Sequence, residues 1–126
     1  MDLSNAPIVA NQVLYNIVNR GIVSQELLDF CLSNEITIVA YRPVERKILA
    51  ENAVNPDVLR IAQKYNRQAA QIAINWLVDR DGIVTIPKSS TQNHIDENLR
   101  SLEFELSKED RLVLDSIASS SVESVI

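Results

Sequence analysis

Apolar residues along this chain follow two spacings that alternate from one end to the other. Ile8 to Val13, Thr37 to Tyr41 and the run opening at Ile83 are short, mostly apolar and rich in β-branched residues. That composition predicts strands buried on both faces, as in a parallel sheet covered by helices. Pro87 has no N–H for a ladder, so the third strand should stop about there. Between the strands the spacing becomes helical. Ser24 is a candidate N-cap, and Leu27/Cys31 and Leu28/Leu32 make one apolar face. Asn55 followed by Pro56 is a helix start, with Val58, Ile61, Ala62 and Tyr65 on one side and Asn66 as its end. A second helix of this pair is predicted from Gln68 to Asp79, with Ala69, Ile72, Ala73, Trp76 and Leu77 turned inward. Thr91 can cap a helix that places Ile95, Leu99 and Leu102 on one side. Ser107 with Asp110 resembles a capping box, each side chain reaching the other's amide, ahead of Val113, Leu114, Ile117 and Ala118. Glu45 to Asn52 is charged and without period, and reads as a loop with at most one helical turn near Leu49.

The order is strand, helix, strand, helix pair, strand, helix, helix. Repeated βα units of this kind predict an α/β protein with parallel strands and flanking helices. In such folds the C-terminal ends of the strands form the functional face. The polar residues gather at those ends: Asn11 and Gln12, Tyr41 and Arg42, Lys88 and Ser89. Each has two readings. The amides of Asn11 and Gln12 either satisfy backbone groups past the strand end or aim at a ligand. Tyr41 is either a half-buried rim aromatic or a platform for a flat ring. Lys88 either faces water or joins the free amides of the helix opened by Thr91 to form an anion site.

Composition narrows the classes. The chain has 126 residues, enough for one domain spanning 1–126. Its formal net charge of −5 argues against a nucleic-acid partner. The single cysteine excludes an intrachain disulfide and any multi-cysteine metal site. Cys31 lies on an apolar helix face and reads as a core residue, compatible with a reducing compartment such as the cytoplasm. The first residues lack the pattern of a signal peptide, and no apolar run is long enough to cross a membrane.

From Ile8 to about Ile117 the sequence resembles the C-terminal portion of an aldo-keto reductase. The resemblance rests on Ala10-Asn11-Gln12-Val13 with Tyr15, Ile38-Val39-Ala40-Tyr41-Arg42-Pro43, and Ile61-Ala62 with Tyr65. It continues through Ala70-Gln71-Ile72-Ala73 with Trp76-Leu77, Ile86-Pro87-Lys88-Ser89, Glu97-Asn98 and Phe104-Glu105-Leu106-Ser107. It implies part of a (β/α)8 TIM barrel, the sixth to eighth βα units. That family binds a nicotinamide cofactor, usually NADPH, across the strand C-termini and reduces aldehydes and ketones by hydride transfer. The resemblance implies that Gln12 hydrogen-bonds the nicotinamide carboxamide, Tyr41 stacks on its ring and Arg42 approaches the pyrophosphate. Lys88 and Ser89 would hold the 2′-phosphate, and Glu97 and Asn98 would contact the adenine end.

Two departures from the family pattern bear on function. His94 stands where many members carry an arginine at the 2′-phosphate helix, and Arg42 stands where serine is common. The family's catalytic Asp, Tyr, Lys and His belong to the other half of the barrel and have no counterpart here, so no catalytic residue is assigned. A whole barrel needs roughly 250 residues. The expectation is a fragment or truncated product whose cofactor and small carbonyl substrate belong to the full-length protein. The alternative is a non-enzymatic fragment that self-associates through its open sheet edges.

Overall fold

A computed structural model describes residues 6–20, 23–44 and 55–117. The predicted turn near Leu49 and the end of the last helix at Ala118 lie outside them. The described elements run β1 (Ala10–Leu14), α1 (Gln25–Ser33), β2 (Thr37–Tyr41), α2 (Pro56–Tyr65), α3 (Ala69–Val78), β3 (Ile83–Thr85), α4 (Gln92–Leu99), a 3-10 turn (Arg100–Leu102) and α5 (Lys108–Asp115). The strands form one parallel sheet in the order β1-β2-β3. Leu14 lies opposite Tyr41, and Ala40 lies opposite Thr85.

Local chemistry sets the element ends. Ser24 Oγ accepts from Leu27 N–H, and Asn55 Oδ1 accepts from Asp57 N–H ahead of Pro56. Asn66 ends α2 at φ 53°, a left-handed conformation that asparagine tolerates better than most residues. Gly82 enters β3 at φ 77°, and its carbonyl accepts from Ile38 N–H. The capping box expected at α5 forms by half. Ser107 Oγ accepts from Asp110 N–H, but Ser107 N–H donates to the Tyr65 hydroxyl instead of the Asp110 carboxylate. That carboxylate is taken by Lys64 Nζ at 2.9 Å and by the Tyr65 hydroxyl at 2.7 Å. Lys64 beside it holds the Asp110 carboxyl below its ordinary value. A long-range pair from α2 outcompetes the local one and binds α5 to α2.

The core lies on one side of the sheet. Ile38, Ala40 and Ile83 point into it and meet Ile61, Ile72 and Leu77 from α2 and α3. Helix α3 is buried along nearly its whole length, from Gln71 to Leu77. Trp76 is 0% exposed; its Nε1 donates to Asp115 Oδ1, and its ring lies beside Tyr15 and under both Arg20 and Arg80. Burial pushes the Tyr15 hydroxyl above its ordinary pKa, and Arg80 partly offsets this. Arg20 also donates to the carbonyls of Leu114 and Asp115 at the end of α5, where the helix dipole favours a cation.

Two expectations need correction. The first strand starts at Ala10 instead of Ile8; of the two residues before it, Val9 still pairs through its carbonyl with Thr37 N–H, and both side chains are exposed. The strands are also covered on one face only. Side chains alternate across a strand, so Gln12, Val39 and Val84 share the row facing away from the helices. In that row Gln12 and Val84 are exposed and Val39 is half-buried, while Leu14 further along the same face is buried. Val84 is 47% exposed and Ile86 49% exposed. The sequence pattern of doubly buried strands is present, but the layer opposite is not among the described residues.

Candidate functional site

Parallel strands bring Tyr41 with Arg42 and Lys88 with Ser89 to one end of the sheet, whereas Asn11 and Gln12, expected at the end of the first strand, lie inside β1, because that strand runs on to Leu14. Gln12 and Tyr41 share the open face, because Gln12 pairs with Val39 and Tyr41 lies two residues further along β2. Gln12 is exposed and Tyr41 is half-buried. Neither side chain makes a hydrogen bond within the described residues, so both are available to a ligand on that face. Arg42 follows with its backbone at φ 52°. A non-glycine residue there is strained by about 1–2 kcal/mol, and strain of this kind gathers at ligand sites. The bend is held by Asn16, whose Nδ2 donates to the Arg42 carbonyl at 2.9 Å. Asn16 Oδ1 meanwhile accepts from the amides of Val18 and Asn19. One buried amide therefore ties the exit of β1 to the exit of β2.

The second cluster is built where β3 leads into α4. Thr91 Oγ1 accepts from His94 N–H, as the cap predicted. The first amides of α4 have no intrahelical acceptor, and the loop of Lys88 and Ser89 leads into that helix end. Lys88 is exposed and has no ion-pair partner among the described residues. Ser89 Oγ accepts from Asn98 Nδ2 at 2.7 Å, which leaves the serine O–H to donate elsewhere. Glu97 Oε1 accepts from Asn93 Nδ2 at 3.2 Å and Gln68 Nε2 at 3.4 Å. His94 is exposed on the first turn. A cation, a free hydroxyl donor and a helix N-terminus thus meet at one loop, which suits a phosphate.

The structure joins Ser89 to Asn98 directly and fixes Glu97 beside them. No hydrogen bond links this cluster to Gln12 and Tyr41, so the site consists of two half-sites on one edge of the sheet. A groove of about 400 Å³ beside the second half-site is lined by Ile74, Pro87, Ser89, Asn98, Leu99 and Leu102, among others. A further cleft of about 330 Å³, which includes Cys31, Ile36, Arg80 and Gly82, lies toward the strand N-termini, away from both half-sites. Cys31 is buried in the core as expected. Among the described residues no three His, Cys, Asp or Glu side chains are grouped to hold a metal, and no helix is long and apolar enough to cross a membrane.

Sequence reading missed Asn16, Gln71 and Asn75 as builders of the site. Asn16 carried no signal beyond its place in a polar stretch. Gln71 and Asn75 did carry one: two amides one turn apart inside an otherwise apolar helix.

The parallel sheet and its flanking helices define a segment of a (β/α)8 barrel. Residues 1–119 match the Aldo/keto reductase family, and the chain belongs to that family. It is 37% identical over 110 residues to a methylglyoxal reductase of Escherichia coli (strain K12), covering 83% of this chain and 37% of that protein. A thermostable aldo-keto reductase solved with the inhibitor epalrestat superposes with a TM-score of 0.82 at 38% identity, covering 91% of this chain and 42% of that one. An aldo-keto reductase of the silkworm Bombyx mori, solved with NADPH, superposes at 0.77 with 29% identity, over 94% of this chain and 37% of that one. The chain thus spans well under half the length of the relatives it matches.

Proposed function

We propose that this chain supplies the cofactor-holding face of an NADP-dependent oxidoreductase that reduces aldehydes or ketones by hydride transfer. The observation that carries the reading is the Ser89–Asn98 hydrogen bond beside the unpaired Lys88 at the N-terminus of α4. The 2′-phosphate sits at Lys88 and Ser89, with His94 on the first turn of the helix that follows. Glu97 and Asn98 face the adenosine end. Arg42 approaches the pyrophosphate, Tyr41 stacks on the nicotinamide, and Gln12 hydrogen-bonds its carboxamide. The bound cofactor supplies the hydride; the residues of this chain bind and orient it. Residues 1–126 form one domain corresponding to the C-terminal part of the barrel, and the residues that act on the carbonyl lie outside it. The free, buried Cys31 suits a reducing compartment such as the cytoplasm.

Calorimetric titration with 2′,5′-ADP and with 5′-ADP tests the phosphate assignment. Tighter binding of 2′,5′-ADP is expected; equal binding would contradict the 2′-phosphate site. Purified chain with NADPH and a simple aldehyde should show no turnover, and turnover would place catalytic residues inside this chain.

A second reading is favoured by the open face. Val84, Ile86, Leu99 and Leu102 are all exposed beside the free edge of β3. Unpaired edges and exposed apolar patches recruit partners. In this reading the chain self-associates through that edge, and light scattering on a size-exclusion column separates it from a monomer.

A further inference from the structure

Helix α4 is held in place by a different force from its neighbours. None of its residues is buried, and its apolar Ile95 and Leu99 face outward. Hydrogen bonds from α3 fasten it instead. Gln71 and Asn75, 6% and 4% exposed, stand one turn apart on α3. Gln71 Nε2 donates to the Glu97 carbonyl at 2.9 Å. Asn75 Nδ2 donates to the carbonyls of Ser101 at 2.9 Å and Phe104 at 2.8 Å. The orientation of each amide is fixed by its partners. Gln71 Oε1 accepts from Gln68 N–H, so its nitrogen must be the donor to Glu97. Asn75 has carbonyls on both sides of its nitrogen, and it leaves its own Oδ1 buried without a partner. A buried polar atom left without a hydrogen bond is costly. The unpartnered oxygen is the consequence of placing the NH₂ group between those two carbonyls.

We infer that Gln71 and Asn75 are positioning residues for the dinucleotide site. They set the height and rotation of the α4 segment against α3. Through it they place Glu97 and Asn98, and through the Asn98–Ser89 bond they place the loop of Lys88. Neither touches the ligand. This inference rests on the cofactor reading given above, and the test separates the two.

The informative variant is Gln71→Glu. It keeps the oxygen that accepts from Gln68 N–H and adds an acidic group in the first turn of α3, where the dipole favours it. It removes the donor to Glu97 and leaves a carboxylate oxygen facing that carbonyl, so the contact that held α4 becomes repulsive. Hydrogen exchange and titration with 2′,5′-ADP are measured on the full chain. The expected result is exchange faster by about tenfold in Gln92–Leu99, unchanged exchange in Thr37–Tyr41, and about tenfold weaker nucleotide binding. A merely structural role would raise exchange in both segments together, which would overturn the inference. Faster exchange in α4 with unchanged affinity would also overturn it. Should Gln71→Glu fail to fold, Gln71→Met, neutral and of similar size, removes the acceptor for Gln68 N–H as well as the donor to Glu97, and the same comparison of the two segments and of affinity decides. Wild-type protein that binds no 2′,5′-ADP would instead refute the cofactor reading, with exchange still reporting whether α3 holds α4.

Discussion

Replacing Asn16 by alanine tests how the ends of β1 and β2 are joined. Among the described residues the side chain makes three hydrogen bonds, accepting from Val18 and Asn19 N–H and donating to the Arg42 carbonyl. Asn19 N–H retains the Asn16 carbonyl at 3.3 Å, so it is not orphaned. Of the three groups that lose their side-chain partner, the Val18 amide and the Arg42 carbonyl keep no other hydrogen bond among the described residues. The Val18 amide is buried and should cost about 1–3 kcal/mol, whereas the Arg42 carbonyl lies in a more exposed setting and should cost about 1 kcal/mol. The sum is about 2–4 kcal/mol, a large part of the 5–15 kcal/mol typical of a folded domain. Trp76 is the sole tryptophan and fully buried, so its fluorescence reports unfolding without labels. Urea titration should move the midpoint down by about 1–2 M with the slope unchanged. Gln63→Ala on the exposed side of α2 serves as control and should stay within about 0.5 kcal/mol. A loss for Asn16→Ala no larger than the control's would refute the claim that this amide fastens β1 to β2.

Other parts of the structure give sharper or cheaper tests. Asp110→Asn removes the charge that receives Lys64 and Tyr65, and should destabilise by about 1–2 kcal/mol at neutral pH. The Asp110 carboxyl is depressed in the folded chain below its ordinary 3.8, so its stabilisation is complete above that value and is lost as pH falls through the folded pKa. Melting curves of wild type and Asp110→Asn should therefore converge below pH 3.8, and a constant gap across acid pH would contradict the assignment. If self-association uses the free edge of β3 and the apolar residues beside it, Leu99→Lys with Leu102→Lys should yield a monomer by light scattering, and an unchanged oligomer would move the interface elsewhere.

The elements were legible because their signals are local. Pro56 after Asn55, the run from Thr37 to Tyr41, Asn66 and the Thr91 cap each act within a few residues of themselves. The candidate binding residues were legible for another reason: parallel topology carries every strand end to one side, so Tyr41 and Lys88 need no mutual contact to share it. Interactions across the fold were hidden. The donors from Gln71 and Asn75 to α4 and beyond span 26 to 29 residues, and nothing local announces their acceptors. The half-formed capping box at Ser107 failed for the same reason, since Tyr65 arrives from 42 residues away. Apolar content misled at β3, where Val84 and Ile86 are β-branched and yet half-exposed. Sequence pattern records the layer a strand suits, not whether that layer lies within the described chain.

The most direct test of the central claim is the ratio of NADPH to NADH affinity in wild type and in Lys88→Met, measured by calorimetry. A 2′-phosphate held by the Lys88 ammonium predicts that the variant loses NADPH binding by about tenfold or more, with NADH binding changed little. Equal loss for both cofactors, or none for either, would contradict the placement of the 2′-phosphate at the loop between β3 and α4.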